Sequence, residues 1–171
     1  SHVSHNCGYG LLPNAASTKA IMTHWTFSDN SRAPCLRGHF AHAITMQESV
    51  VERSKHSGIS LFGRNGSLFV SDRSAVRTNG GHGVASYATG LGSFKTHMMI
   101  TEANSVSHNK QTALYIFGSG KVTASQLSNV IGNGLSGIRI YEGNSSFALT
   151  HNAQVDGNAQ SGVVLDDANE G

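Results

Sequence analysis

One phrase, N-x-x-x-G-[ILV]-x-[ILV], returns along this chain in Asn133–Ile140 and Asn158–Leu165, and with Ser in place of Asn in Ser54–Leu61. With the Gly of each phrase as an anchor, Gly10, Pro34, Gly58, Gly83, Ala113, Gly137 and Gly162 align at intervals of 24, 24, 25, 30, 24 and 25 residues. Four residues upstream of the anchors stand Asn6, Asn30, Ser54, Asn79, Asn109, Asn133 and Asn158. A fixed period of this length constrains the fold more than any local propensity does. Each repeat is one supersecondary unit that cannot bury its apolar face alone, so neighbouring repeats must stack.

The columns say how they stack. One residue after the anchor come Leu11, Cys35, Ile59, Val84, Leu114, Ile138 and Val163, and seven before it Val3, Phe27, Val51, Val76, Val106, Val130 and Val155. Thirteen before the anchor lie Ile21, Thr45, Val70, Ile100, Ala124 and Leu149. Each repeat therefore holds three short stretches of strand-like alternation parted by Gly, Ser and Asn turns. Strands of successive coils pair in parallel about 4.8 Å apart, so like residues stack on like. The Asn column is expected to form a hydrogen-bonded corner ladder of Asn6, Asn30, Asn79, Asn109, Asn133 and Asn158, with the Gly permitting the bend. Parallel crossovers are right-handed in nearly all cases. The expected fold is all-β: a right-handed parallel β-helix of about seven coils of roughly 24 residues, three short strands to the coil, spanning 1–171 as one domain. Arg37 falls in an otherwise inward apolar column, which predicts a register slip in the early coils.

Composition narrows the partners. Only 13% of the residues are charged, the net charge is +2 and no Lys/Arg cluster occurs, which argues against nucleic acid. No apolar run is long enough to cross a membrane as a helix. His42 shares a column with His97 and His5 with His108, but neither pair stands on neighbouring coils, so neither a metal nor a cofactor is expected, and Cys7 and Cys35 lie in different columns as expected free thiols. The chain opens mid-pattern at "SHVSHN", which predicts a segment of a larger protein and a further chain or partner over the N-terminal coil. The 30-residue interval before Ala113 predicts an inserted loop near 88–97.

These phrases resemble the repeat of right-handed parallel β-helix proteins, the pectate-lyase-like and tailspike-like solenoids, over essentially the whole length. The resemblance implies a surface, secreted or phage-type protein, extracellular or on the cell surface, and a polysaccharide or surface glycan as partner. It leaves the activity open, since one scaffold hosts lyases, hydrolases, epimerases and inert stalks. "GGHG" at 80–83 is similar to an element of polygalacturonase-like hydrolases, but the paired Asp of "LDDA" at 165–168 follows it instead of preceding it.

Two constellations bear on function. Eleven residues before the anchor the column reads Thr23, Gln47, Asp72, Glu102, Gln126 and His151, which makes Asp72 and Glu102 neighbours with Arg73 beside them. Close carboxylates share protons unequally, the requirement of acid/base work on a glycan, and Arg73 would hold an acidic sugar. Phe62, Tyr87, Phe117 and Tyr141 form an outward aromatic column, with Tyr115 and Arg139 alongside, that suits sugar rings. A non-catalytic solenoid presenting one face to a glycan or protein is the expectation, ahead of a polysaccharide lyase, glycoside hydrolase or epimerase and of a plain spacer.

Overall fold

Alternation within each repeat is satisfied by strands that turn one face inward and one outward. The computed structural model describes residues 1–6, 19–31, 35–37, 43–62, 66–87, 96–118, 120–141 and 146–166. A leading strand β1 (His2–Ser4) is followed by turns of three: β2 (Lys19–Thr23), β3 (Thr26–Ser28) and β4 (Cys35–Arg37), then β5 (Ala43–Gln47), β6 (Val50–Glu52) and β7 (Ile59–Phe62). The middle turns are β8 (Ser67–Ser71), β9 (Ala75–Arg77) and β10 (Val84–Tyr87), then β11 (Thr96–Ile100), β12 (Ser105–Ser107) and β13 (Leu114–Phe117). The last are β14 (Gly120–Ala124), β15 (Asn129–Ile131) and β16 (Ile138–Tyr141), then β17 (Ser146–Leu149), β18 (Gln154–Asp156) and β19 (Val163–Asp166).

Every strand pairs in parallel with its counterpart one turn away, giving three sheets that wrap one core. The short-strand sheet runs β1-β3-β6-β9-β12-β15-β18, the long-strand sheet β2-β5-β8-β11-β14-β17, and the aromatic sheet β4-β7-β10-β13-β16-β19. The molecule is a parallel β-helix, slightly shorter than seven full coils: six three-strand turns preceded by one strand. Among the described residues there is no helix, and so none that could cross a membrane. Of the predicted loop at 88–97, residues 88–95 lie outside the described residues, as do Cys7, Gly10, Leu11 and Pro34 and the side chain of Cys35, and Thr96 and His97 belong to β11 instead.

The column from Val3 to Val155 pairs rung for rung as expected. So does the one from Ile59 to Val163. Val51, Val76, Val84, Val106, Leu114, Val130 and Ile138 are completely buried. Each such side chain stabilises the fold by about 1.5–3 kcal/mol relative to exposure.

Two expected columns slip in the early coils. Cys35 pairs with Ser60 and Arg37 with Phe62, because Cys35 stands five residues after Asn30 whereas its partner Ser60 stands six after Ser54. Ile21 and Thr45 face outward; the residues level with Val70 are Met46 and, below it, Met22. Ile21 is 58% exposed, Met22 only 3%. The cause lies at the corner between the long-strand and short-strand sheets. His24 and Glu48 turn it with a single left-handed residue each (φ 58° and 46°). Later coils use two: Asp72–Arg73, Glu102–Ala103, Gln126–Leu127 and His151–Asn152. That added residue shifts everything counted back across the corner.

The other corner, between the short-strand and aromatic sheets, does not vary. One left-handed residue makes it in all seven coils: His5, Asp29, Arg53, Thr78, His108, Gly132 and Gly157, with φ between 53° and 65°. This corrects the role expected of the anchor Gly, which is not in the left-handed region. Gly83 is required for room: a Cβ there would lie 2.6 Å from Val106 Cγ1, 2.7 Å from the Ala113 carbonyl oxygen and 2.8 Å from Asn109 Nδ2.

Directly after the turning residue stands the Asn ladder. The Asn109 side-chain oxygen accepts from the backbone N of Asn79 at 3.1 Å and from Asn79 Nδ2 at 2.9 Å. Asn109 Nδ2 donates onward to Asn133 Oδ1 at 3.0 Å and back to the Val76 carbonyl at 3.3 Å. The same pattern joins Asn6 to Asn30 and Asn133 to Asn158. At Ser54 the chain of amides breaks. Its backbone N still donates to Asn79 Oδ1, but its buried hydroxyl meets no partner.

Candidate functional site

Three regions bear on function: the variable corner, the outside of the aromatic sheet and the outside of the long-strand sheet. At the variable corner the structure brings Asp72 and Glu102 together. The Asp72 backbone N donates to Glu102 Oε2 at 3.3 Å, and the two carboxyl groups share a hydrogen bond. That bond, with the Ser71 hydroxyl at 3.0 Å, holds Asp72 below the ordinary carboxylate range. The Glu102 carboxyl is raised by the same bond, then by burial and by the charge of Asp72. One proton held between the two groups accounts for both directions.

In backbone register Glu48 takes the place expected of Gln47, its N donating to the Asp72 carbonyl at 3.1 Å, while the Gln47 side chain still hydrogen-bonds Asp72. This is the slip described above. The corner column thus reads His24, Glu48, Asp72, Glu102, Gln126 and His151, and His24 Nε2 lies 2.6 Å from Glu48 Oε2. Arg73 is exposed beside Asp72 and lowers its pKa through charge.

The aromatic column exists, with Phe62, Tyr87, Phe117 and Tyr141 paired rung to rung. Its rings are occupied with one another. Phe62 stacks on Tyr87 at 5.0 Å and Phe117 on Tyr141 at 5.6 Å, while Tyr87 tilts against Tyr115 at 6.0 Å. Tyr115 in turn stacks on His82 at 4.6 Å. All four column rings are half-buried, and Ala85 on the same outward alternation is fully buried. Burial lowers the His82 pKa and raises that of Tyr87. Arg139 is engaged by Asp166, with Nε to Oδ2 at 2.8 Å and a terminal nitrogen at 2.6 Å.

The outside of the long-strand sheet was not singled out from the sequence. There β8, β11 and β14 form a groove of about 240 Å³, lined on its open side by Ser67, Phe69, His97, Met99, Lys121 and Thr123. Met99 is 44% exposed, and His97 and Lys121, paired across adjacent rungs, are exposed as well. The residues were visible as alternating positions, but only the register shows that they meet.

Two further features escaped the sequence reading. A buried second ladder of Ser49, Ser74, Asn104 and Ser128 lines the variable corner, with Ser49 N donating to Ser74 Oγ at 3.1 Å. Its signal was a column nine before the anchor, hidden because Ser is common in any turn. On the constant corner, Arg53 clamps Asp29 with two bonds of 2.9 Å and also meets Glu52, which accepts from Arg77 Nε at 2.9 Å. Among the described residues no three His, Cys, Asp or Glu converge to hold a metal ion. No protein family, curated protein or solved structure matches the chain.

Proposed function

We propose that this chain is a non-catalytic β-solenoid of the pectate-lyase-like or tailspike-like kind, from a surface, secreted or phage-type protein. It presents the outer face of its long-strand sheet to an extended partner, a glycan or a protein segment. The observation that carries this reading is the groove over Phe69, His97, Met99 and Lys121. There exposed Met99 and half-buried Phe69 adjoin a cavity beside the exposed side chains of His97 and Lys121. Concave apolar sites with a few polar groups are the usual form of a ligand site. The rings of the aromatic column support the reading less well, since their faces are already stacked.

The second reading, a polysaccharide-active enzyme, rests on Asp72, Glu102 and Arg73. Against it stands the direct hydrogen bond between the carboxyl groups. Glycosidases that work through two carboxylates keep them about 5–9.5 Å apart to admit the anomeric carbon or a water. A glycan array and a depolymerisation assay on one preparation separate the two. Binding without cleavage, unchanged in Asp72→Asn/Glu102→Gln and weakened at least tenfold by Met99→Glu, is the expected result. Cleavage that disappears in the double variant would establish the enzyme instead.

A further inference from the structure

Two rungs of the Asn ladder carry a second requirement in the residue that follows. Asn79 is followed by Gly80 and Asn133 by Gly134. A Cβ on Gly80 would lie 2.2 Å from the Lys55 carbonyl oxygen, and one on Gly134 2.3 Å from that of Lys110. Both obstacles are main-chain oxygens of the coil before, so only Gly fits. The ladder demands Asn, the close approach demands Gly, and together they put an Asn–Gly pair at each rung. The other ladder Asn residues, Asn6, Asn30, Asn109 and Asn158, precede Cys7, Ser31, Lys110 and Ala159.

Asn–Gly is the dipeptide in which an Asn amide is lost most readily. The Gly nitrogen gives up its proton and attacks the Asn Cγ; a C–N bond forms, ammonia leaves, and a five-membered succinimide remains. Water then opens the ring at either carbonyl, giving Asp or isoaspartate. Gly has no side chain to crowd the attacking nitrogen.

In the folded coils each reacting group is held. Gly80 N donates to the Ser54 carbonyl and Gly134 N to the Asn109 carbonyl, both at 2.8 Å, so each attacking nitrogen keeps its proton. The Asn79 side-chain oxygen accepts from Ser54 N at 3.1 Å, while its Nδ2 donates to Asn109 Oδ1 at 2.9 Å and to the Val51 carbonyl at 3.4 Å. The Asn133 oxygen accepts from Asn109 N and Nδ2, and its Nδ2 donates to Asn158 Oδ1 and to the Val106 and Ile131 carbonyls. Both side chains are buried. Turning either Cγ onto the Gly nitrogen would break all of these bonds at once.

We infer that Asn79 and Asn133 are latent deamidation sites, closed while the coils are stacked and opened by unfolding, and that conversion at either one bars the chain from refolding. The products account for the second half. An aspartate oxygen in place of Asn79 Nδ2 faces Asn109 Oδ1 and the Val51 carbonyl, a buried charge among acceptors with no donor. Isoaspartate lengthens the main chain by an atom beside the corner that passes a single left-handed residue in every coil. A short neutral side chain is a lesser fault, since Ser54 occupies a rung with its hydroxyl unpartnered.

The test holds the full chain in mildly alkaline buffer with and without concentrated urea and maps amide-to-acid conversion by mass spectrometry. In urea Asn79 and Asn133 are expected to convert as fast as Asn65, which also precedes a Gly in the sequence. Without urea both should convert at least about a hundredfold more slowly than in urea. On dilution from urea, the refolded fraction should keep the amide at both positions while the acid collects in the fraction that stays unfolded. Asn79→Asp and Asn79→Ser read the same point without refolding: the Ser variant is expected to fold, the Asp variant to lose its cooperative unfolding transition. Conversion in native buffer at the urea rate overturns the closed site. Acid shared equally between refolded and unfolded fractions, or Asn79→Asp folding as well as Asn79→Ser, overturns the barrier to refolding.

Discussion

The two described corners of each coil do the same geometric job in opposite ways. The constant corner spends one left-handed residue in every coil and follows it with a buried amide that bonds to the coil before and after. The variable corner takes one left-handed residue in two coils and two in four, although the turning residues of both corners are exposed or half-buried. A buried ladder fixes how many residues may pass, because a slip of one would strand an amide and the backbone groups it serves. At the variable corner the buried side chains that follow the turn bond back to carbonyls of the coil before, Ser49 to Met22, Asn104 to Val70 and Ser128 to Ile100, and an extra turning residue in water leaves those bonds in place. Chemistry can therefore vary at the second corner, and it is there that Glu48, Asp72 and Glu102 collect.

Removing one residue from each corner is the severest way to break this contrast. Deleting Thr78 moves Asn79 off the ladder and should leave no cooperatively folded protein by circular dichroism. Deleting Arg73 gives its coil the single-residue turn already used at Glu48 and should cost only about 1–2 kcal/mol. Comparable losses from the two would show that the corners are equivalent.

Asn109→Ala comes next. It removes an acceptor of two bonds and a donor of two more within a buried column, an expected loss of about 3 kcal/mol in denaturant unfolding. Glu102→Gln at the other corner keeps a hydrogen bond to Asp72 without needing a proton, and should leave the unfolding midpoint nearly unchanged. In the opposite direction, Ser54→Asn fills the break between Asn30 and Asn79 and should stabilise by about 1 kcal/mol, read as a higher unfolding midpoint.

The smallest effect is in titration. Arg53 holds Asp29 at about 2 against an ordinary 3.8. A carboxyl with a lowered folded pKa binds its proton more weakly folded than unfolded. Its contribution is complete above the ordinary value and disappears as pH falls from there through about 2. Arg53→Ala should return the Asp29 midpoint to the ordinary range in a carboxyl NMR titration, and an unchanged midpoint would exclude the clamp as its cause. Glu102, raised by Asp72, titrates with the opposite sign, so its protonation on acidification favours the folded corner.

Most of the fold was legible in the residues themselves. The Val3–Val155 and Ile59–Val163 columns and the Asn ladder follow from a period, because stacked coils place equal positions on top of one another and identical buried needs recur at equal intervals. Even the meeting of Asp72 with Glu102 could be counted out, because both belong to coils with a two-residue turn. The count failed for Thr45, Gln47 and Arg37, each reached across a turn whose length differs by one. Turn length at a solvated corner leaves no mark on the apolar pattern until the strand beyond it is placed. Tertiary structure alone decided which face is open. Phe62, Tyr87, Phe117 and Tyr141 read as a binding strip in sequence, yet their rings stack on each other. Phe69, His97, Met99 and Lys121 read as unremarkable outward positions, yet parallel pairing gathers them into one groove. Alternation tells a side chain which way to point; what it meets there depends on the rung above and below.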